Sequence, residues 1–310
     1  MMSRYFAHLV RRASSRDGFI VVAVLWILTA LATLATIFSV YVINTAVAFS
    51  VHNERLQAEG LMRAALELSA YQIVVSPQGP PSSGTLVFRI GNADVNARFV
   101  SETARIDLNA APKELLSGLF VTLGAARNAA DYYADRIIGW RAPPAEGTPD
   151  NEAGIYRAAG LPYGPRGGPF PHSGELGLVH GVPDLLVERA LPFLTVYSGQ
   201  PQVNILDAAP QVLASLPGMD PERLNAALVQ RQGRAQNAQS LPAMLGAAQA
   251  LATTQGNRAL RVTARMTFDS GQRMTSEAVI FVLDSGTVPY RVLTWRDDID
   301  DTPATRGGVR

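Results

Sequence analysis

An uninterrupted apolar segment near the N-terminus constrains this chain more than any other feature of its sequence. From Gly18 to about Phe49 it contains no charged residue, and the run ends at His52 and Glu54. A bilayer core about 30 Å thick needs roughly 20 apolar residues in a helix, so the segment is long enough to span a membrane. A single acid, Asp17, precedes it among four arginines, Arg4, Arg11, Arg12 and Arg16. This asymmetry predicts a cytoplasmic N-terminus, with the rest of the chain across the membrane.

Three interpretations of the segment compete. A cleaved secretory signal has an apolar region of about 7–15 residues, and this segment is about twice as long. A plain signal anchor explains everything except the local sequence at Gly18. The third interpretation is a type IV prepilin-like signal, because Arg16-Asp17-Gly18-Phe19 resembles the junction between a basic leader and an apolar helix that starts with Phe. That resemblance implies cleavage between Gly18 and Phe19 by a membrane-embedded prepilin peptidase.

The composition excludes several classes of function. Cysteine is absent from the 310 residues, which rules out disulfides, zinc thiolate sites and thiol catalysis. The net charge of +1 argues against an extended nucleic-acid footprint. The sequence contains no Gly-x-Ser-x-Gly elbow, phosphate loop or His-Glu-x-x-His motif. We therefore predict that the chain is not an enzyme.

Hydrophobic periodicity predicts the organisation of the chain. After a leader (1–18), we expect one long helix from Phe19 to about Val75, with a transmembrane half (19–43) and an amphipathic half (44–75) on a soluble head. Alternating strands are predicted within 76–104 and again within 257–296, so that the helical region 105–256 interrupts one sheet. The acidic tail, 297–310, is predicted to be disordered.

The inserted region contains an internal repeat. Residues 107–116 are echoed by residues 205–214, and both copies share Leu-(Asn/Asp)-Ala-Ala-Pro. We expect Asn109 and Asp207 to be helix N-caps, with Pro112 and Pro210 in the first turns. Each copy is followed by a second helix that ends in arginine, and a third helical unit is predicted around Glu175. Paired short helices of this kind look like helix-hairpin-helix or SAM-like units.

A DNA-binding function is the alternative that this repeat raises. Hairpins that bind nucleic acid present a Leu-Pro-Gly-Ile-Gly-type turn to a phosphate, and here the second copy has Leu216-Pro217-Gly218-Met219-Asp220. An acid stands where the last glycine should be, and a carboxylate repels the phosphate. We therefore favour a structural or protein-docking role and predict no nucleic-acid partner.

A long glycine- and proline-rich stretch, 143–170, is predicted to be a surface loop. Structureless loops of this length usually bind something. Asp150, Asn151 and Glu152 cluster oxygen atoms of the type that calcium prefers, and Glu175 can contribute from the far side. Simple solvation of these acids is an equally good interpretation, because the spacing is not that of an EF-hand.

The whole chain resembles a known family. The order of features, with Val24-Leu25-Trp26 and the stretches 134–141, 174–176, 191–196 and 203–205, is similar to the type II secretion system minor pseudopilin of the K type, the general secretion pathway protein K family. The resemblance implies an α+β fold with a type IV pilin-like long N-terminal helix on a small antiparallel sheet, and a large helical insertion. It implies an inner-membrane protein with a periplasmic head that binds calcium.

The same resemblance implies partners and a place in a filament. The expected partners are the I-type and J-type minor pseudopilins, the major pseudopilin and prepilin peptidase. Most pilin-like subunits carry Glu at the fifth mature position, where it neutralises a neighbour's N-terminal amine. Counting from Phe19, this chain has Ala23 there. A lone buried carboxylate is costly, so alanine fits a subunit with no amine above it, at the tip of the pseudopilus.

Overall fold

The computed structural model describes residues 15–76, 81–143, 151–233, 242–283 and 288–297. The chain forms two compact units, Met1–Gly60 and Leu61–Arg310. We call the second unit the head. Residues 1–14 of the predicted leader and residues 298–310 of the predicted tail lie outside the described residues.

The described residues form helices and strands, numbered here in chain order. The helices are α1 (Ser15–Val75), α2 (Lys113–Thr122), α3 (Arg127–Arg141), α4 (Asn151–Ala158), α5 (Asp184–Ala190), α6 (Pro210–Ala214) and α7 (Pro221–Gln230). The strands are β1 (Ser83–Ile90), β2 (Ala93–Ser101), β3 (Ile106–Asp107), β4 (Leu194–Thr195), β5 (Val203–Asn204), β6 (Ala252–Thr253), β7 (Ala259–Phe268), β8 (Arg273–Val282) and β9 (Tyr290–Arg296). Short 3-10 segments, including Glu102–Ala104 and Ser173–Leu178, connect them.

The long N-terminal helix ends where the periodicity predicts, but it begins earlier. α1 starts at Ser15 rather than at Phe19, because no proline separates the two positions and the helix continues into the basic flank. Its stretch Phe19–Thr45 has a mean hydropathy of 2.5, and none of it is buried. By length and composition alone, this stretch can cross a membrane.

The head contains a five-stranded antiparallel sheet in the order β1-β2-β7-β8-β9. β2 and β7 are neighbours, although the helical insertion separates them in sequence, and Ser101 pairs with Leu260 at the point where the insertion leaves and returns. The Ser101 hydroxyl also accepts a hydrogen bond from the backbone N–H of Asn257, at 2.9 Å. The predicted interruption of one sheet by a helical insertion is confirmed.

The two faces of this sheet differ in polarity. Along β2, Val95, Ala97 and Phe99 are buried, while the alternate residues are exposed. The final turns of α1 cover the apolar face, with Leu66 fully buried. The opposite face, which we call the outer face, carries arginines at the alternate positions Arg89, Arg98, Arg261, Arg265 and Arg273.

The insertion has a hydrophobic core of its own. Leu115, Leu116 and Phe120 of α2 are fully buried in it, together with residues of every helix from α3 to α7. The two copies of the repeat approach closely at Gly118, where an added Cβ atom would lie 2.0 Å from the carbonyl oxygen of Ser215. Glycine is therefore required at this point of α2.

The predicted long loop is wrong over part of its length, because α4 lies inside it. Tyr156 of α4 is completely buried, with its ring centroid 5.7 Å from that of Trp140. Its hydroxyl accepts a hydrogen bond from the His180 N–H at 2.9 Å. The glycine and proline content of the flanks concealed this buried turn of helix. Residues 144–150 lie outside the described residues.

Candidate functional site

The apolar stretch of α1 satisfies its own polar groups. Its threonine hydroxyls donate to the carbonyl four residues earlier, as Thr29 does to Leu25 at 2.7 Å and Thr33 does to Thr29 at 2.8 Å. Thr36 and Thr45 do the same. In lipid, where no water can serve as a partner, this arrangement satisfies the hydroxyls of all four threonines of the stretch. The segment is therefore built to lie among apolar neighbours.

Three residues singled out by the sequence lie at the start of this stretch. Gly18, Phe19 and Ala23 all belong to α1. Ala23 follows Phe19 by four positions, so both lie on the same side of the helix, about one turn apart. The Phe19 side chain is exposed. Cleavage after Gly18 and the role of Ala23 as the fifth mature residue stay predictions.

Both copies of the repeat begin with the same strand–turn–helix motif. In the first copy, β3 pairs in parallel with β4, and in the second copy β5 pairs in parallel with β6. The side chain of Asp107 accepts from the N–H of Asn109 at 2.7 Å, and that of Asn204 accepts from the N–H of Leu206 at 2.9 Å. These are Asx turns, in which a short polar side chain closes the turn two residues on.

The predicted N-caps are therefore wrong. The side chain of Asn109 bonds to the backbone of Phe170 instead, accepting from its N–H at 2.7 Å and donating to its carbonyl at 3.0 Å. The side chain of Asp207 accepts from the hydroxyl of Ser82, at the start of the sheet. Pro112 occupies the cap position of α2, whereas Pro210 is the first residue of α6, as predicted.

The arginine at the end of each second helix holds its copy together. Arg141 donates to the carbonyls of Leu108 and Ala111, the latter at 2.7 Å. Arg231 donates to the carbonyl of Ala208 at 2.7 Å. The sequence predicted that both helices end in arginine but did not predict this use. A guanidinium that reaches back to the turn fixes the angle between the paired helices.

A buried ion network joins the insertion to the sheet. Glu102 lies between β2 and β3 and is fully buried. Arg261 of β7 donates to both of its carboxylate oxygens, at 2.8 and 3.2 Å, and Arg105 donates to one of them at 3.3 Å. Thr195 of β4 donates to the other oxygen. One carboxylate therefore receives donors from the sheet and from the insertion.

The network continues across the outer face. Arg261 also donates to Glu277 of β8 at 2.5 Å, and Arg296 of β9 donates to the same oxygen at 3.0 Å. Burial favours the neutral form of Glu277, but the charges of Arg261 and Arg296 outweigh it and lower its pKa below the ordinary value. Burial, and then the charge of Arg261, lower the pKa of Arg105 to about 10. Sequence reasoning missed this network, because its members lie far apart in the chain.

The candidate calcium ligands Glu152 and Glu175 bind other side chains in the structure. Glu152 lies 2.7 Å from the guanidinium of Arg136, and Asn151 is the first residue of α4. Glu175 is buried and binds Arg166 and the indole N–H of Trp140, the latter at 2.9 Å. The hydrogen bond from Arg166 is the main cause of its lowered pKa.

No group of three or more metal-binding His, Cys, Asp or Glu side chains occurs within the described residues. Asp150 lies outside the described residues, so the proposed ligand set is not complete there. Glu152 and Glu175 are in ion pairs that a cation would have to displace. We derive no function through calcium, and the site stays a prediction.

The hairpin that raised the question of DNA binding uses its acid as a helix cap. Gly218 adopts a φ of 71°, and the side chain of Asp220 accepts from the N–H of Arg223 at 2.8 Å. The start of α7 is thus already occupied by a carboxylate, where a phosphate would need free N–H groups. This geometry gives no support to the DNA-binding alternative.

Comparison with known proteins is informative for the head. Residues 94–199 match the family described as type II secretion system (T2SS), protein K. The fold is similar to a chain of the crystal structure of the GspK-GspI-GspJ complex from the enterotoxigenic Escherichia coli type 2 secretion system. That similarity has a TM-score of 0.53 and 16% sequence identity, and it covers 79% of this chain and 97% of the other. No curated protein sequence matches the chain.

The family match begins at β2, includes the whole first copy of the repeat and ends just after β4. It therefore covers the Arg141 contact and, of the buried ion network, Glu102, Arg105 and Thr195, whereas Arg261 and Glu277 lie outside it. The similarity to the solved structure confirms the pilin-like α+β fold, which has a long N-terminal helix, an antiparallel sheet and several helices in this chain. The match confirms, over residues 94–199, the similarity to the type II secretion system protein K family that the sequence indicates.

Proposed function

We propose that the chain is a minor pseudopilin that forms the tip of the type II secretion pseudopilus and helps to initiate or limit its assembly. The observation that carries this proposal is the protein K match over residues 94–199, in a chain that also has a membrane-length apolar helix. A pilin-like subunit needs both parts, since the apolar helix packs into the filament core and the head docks companion subunits.

The proposed location is the inner membrane, with the N-terminus in the cytoplasm and the head in the periplasm. The four arginines before the apolar segment support this orientation. The proposed partners are the I-type and J-type minor pseudopilins, since the solved complex that shares this fold is named for GspK, GspI and GspJ. Prepilin peptidase and the major pseudopilin complete the set.

The tip position rests on Ala23 and on the size of the insertion. A subunit with no subunit above it has no amine for a glutamate to neutralise, and a large head obstructs further stacking. We also propose that the role is not catalytic. The family is a structural component of the secretion system, and the buried acids Glu102 and Asp107 are engaged by donors within the fold.

N-terminal sequencing of the protein from native membranes tests the proposal. We expect a mature N-terminus at Phe19, and co-purification of the head with small pilin-like proteins. Replacing Gly18 with Trp should leave the leader attached and abolish secretion, while Ser15→Ala, a matched change within the same flank, should leave both unchanged. An intact Met1 in the native protein, or a cut after Phe49, would sink the proposal.

A further inference from the structure

A cleft of about 420 Å³ opens between the outer face of the sheet and the insertion. We call it the arginine cleft, because four arginines line it among the described residues: Arg98, Arg105, Arg261 and Arg265. Asp207 is the one acid in the described lining, and its side chain accepts a hydrogen bond from the hydroxyl of Ser82. The assembly function proposed above makes no use of this cleft.

Two arginines of the cleft have donor groups without a partner. Arg98 of β2 is exposed, and it forms neither a hydrogen bond nor an ion pair with any described residue. Arg105 donates from Nε to the carbonyl of Pro192 at 3.1 Å and from Nη1 to Glu102 at 3.3 Å. Its Nη2 group has no acceptor within the part of the chain that the structure describes. A guanidinium only donates hydrogen bonds, so the group that both arginines lack is an acceptor.

A hydroxyl group lies next to these donors. The register of the sheet pairs Thr263 of β7 with Arg98, which places their Cβ atoms about 5 Å apart on the outer face. Thr263 is half-buried and lines the cleft, and its hydroxyl makes no hydrogen bond with the described residues. An anion in the cleft can therefore accept from a guanidinium and from a hydroxyl at once.

The charges around Arg105 favour a carboxylate as that anion. Glu102 already accepts two hydrogen bonds from Arg261 and one from Thr195, so Arg105 only shares this carboxylate. Burial lowers the pKa of Arg105 to about 10, and the charge of Arg261 acts in the same direction. A further carboxylate beside Arg105 would stabilise the charged form of its guanidinium.

The cleft also has an apolar wall. Phe193 and Ala209 of the insertion line it together with Val100 of β2, and all three are half-buried. A small inorganic anion would leave this wall in contact with water. An apolar side chain next to the carboxylate would cover the wall and gain free energy from the surface that it buries. The chemistry of the cleft therefore fits a polypeptide in which Asp or Glu adjoins an apolar residue.

We propose that the arginine cleft docks an acidic segment of a partner polypeptide. One carboxylate of the segment binds Arg98, Arg105 and the hydroxyl of Thr263, and a neighbouring apolar side chain lies against the wall. The charge of the cleft is complementary to such a segment, and complementary charges set the specificity and the rate of association. The proposal does not depend on the processing of the leader, so docking can fail while the mature N-terminus is still Phe19.

A titration of the full chain in detergent with a fluorescent peptide tests this proposal. The probe is a capped peptide with the sequence Gly-Asp-Leu-Asp-Gly, and we expect it to bind with a Kd below about 1 mM. Replacing both aspartates of the peptide with asparagine should weaken binding at least about tenfold, because the charge-assisted hydrogen bonds are lost. Replacing its leucine with glycine should weaken binding about fivefold, because the apolar wall is then uncovered. Added salt should also weaken binding.

A charge reversal in the chain locates the site. Arg98→Glu should weaken binding of the probe at least about tenfold, because it replaces an attraction with a repulsion. Arg273→Glu is the matched control, since Arg273 is an exposed arginine of the outer face outside the described lining of the cleft. It should leave the affinity unchanged, and both variants should keep the melting temperature.

Three results would overturn the proposal. Equal losses in Arg98→Glu and Arg273→Glu would show that the peptide binds through general attraction to a basic face. Displacement of the probe by inorganic phosphate or glutarate at concentrations as low as those of unlabelled peptide would show that the cleft holds small anions instead. Absence of binding to the unaltered chain would show that the cleft docks no acidic segment.

Discussion

The two copies of the repeat start from the same turn but end in different surroundings. In the first copy, α2 has 10 residues and α3 has 15, and both contribute fully buried residues to the core. In the second copy, α6 has 5 residues, and Ala227 is the one buried residue of α7. The comparison shows that the same local motif can be followed by long, well-buried helices in one place and by shorter, more exposed helices in another.

The Asx residue explains part of this difference. Asp107 accepts three hydrogen bonds, from the N–H groups of Asn109 and Gly199 and from the hydroxyl of Ser198. It therefore ties the first copy to the chain that follows β4. Asn204 accepts from the N–H of Leu206, within its own turn. The Asx residue of the first copy is thus bonded to residues outside the copy, whereas the Asx residue of the second copy bonds within its own turn, and the two copies meet at Gly118 and Ser215.

Forcing the two copies apart should give the largest effect. Gly118→Ala places a methyl group against the carbonyl of Ser215, and we expect it to lower the free energy of unfolding by about 3 kcal/mol. Gly154→Ala is the matched control, because that helical glycine has no atom within 4 Å of an added Cβ. It should be neutral or stabilise the head by up to about 1 kcal/mol. Chemical denaturation of the full chain measures both, and equal effects would contradict a close contact between the copies.

Removing the arginine contacts should destabilise the head less than Gly118→Ala does, and by different amounts in the two copies. Arg141→Met leaves two carbonyls of the first turn without their charged donor, and we expect a loss of about 2 kcal/mol. Arg231→Met acts on one carbonyl of the second turn and should cost about 1 kcal/mol. Thermal unfolding of the two variants ranks them. A larger loss at Arg231 would mean that the second copy is not the weaker one.

Calcium should act on the first copy, because two of its candidate ligands contact α3: Glu152 binds Arg136, and Glu175 accepts from Trp140. Calcium at about ten times its dissociation constant stabilises a folded protein by about 1.4 kcal/mol. We therefore predict that a chelator removes this stabilisation and lowers the melting temperature. The double variant Asp150→Ala and Glu152→Ala should lose this response. Glu152→Ala also removes the partner of Arg136, so the response to the chelator must be compared rather than the melting temperature itself. An unchanged response in the double variant would refute this ligand set.

Lowering the pH should give the smallest and most local loss of stability. The pKa of Glu175 is lowered from its ordinary value of 4.5, mainly by its hydrogen bond from Arg166. Below about pH 5 the unfolded chain therefore binds more protons than the folded one, and the stability from this pair is lost as the pH falls through the folded pKa. Trp140 donates to Glu175, so its fluorescence should report the change. Glu175→Gln should flatten the profile below pH 5, and an unaltered profile would contradict the assignment.

Local patterns predicted the architecture well. The strand alternation, the helix end at Val75 and the paired helices ending in arginine all follow from short-range periodicity and turn chemistry. The predicted N-caps are wrong because both helices begin further along the chain than Asn109 and Asp207, with Pro112 and Ala209 at the cap positions. The structurally equivalent residues of the two copies differ by one position from those that the shared Ala-Ala-Pro aligns. In the first copy α2 begins at Lys113, after the proline, whereas in the second copy α6 begins at Pro210 itself. The apolar–Asx–apolar pattern shared by residues 106–108 and 203–205 was the better guide.

The features that the sequence did not predict depend on distant pairs. Glu102 and Arg261 meet across β2 and β7, far apart in the chain, and no periodicity links them. α4 was hidden because its flanks are rich in glycine and proline, although its own residues include the buried Tyr156. Both cases show that burial of a charged or aromatic side chain depends on the assembled fold, which a local pattern does not contain.

The pairing of Ser101 with Leu260 has a consequence for the order of folding. The insertion connects the paired strands β2 and β7, so its two ends lie close together. It can therefore fold as a closed unit before the sheet is complete. Each doubling of a loop adds only about 0.6 kcal/mol to the entropy of closure, and a prefolded insertion brings its two ends together in advance. We expect the hairpin of β1 and β2 to form early, and β7 to join it only after the insertion has folded. The folded insertion then holds β2 and β7 close together while the sheet is completed.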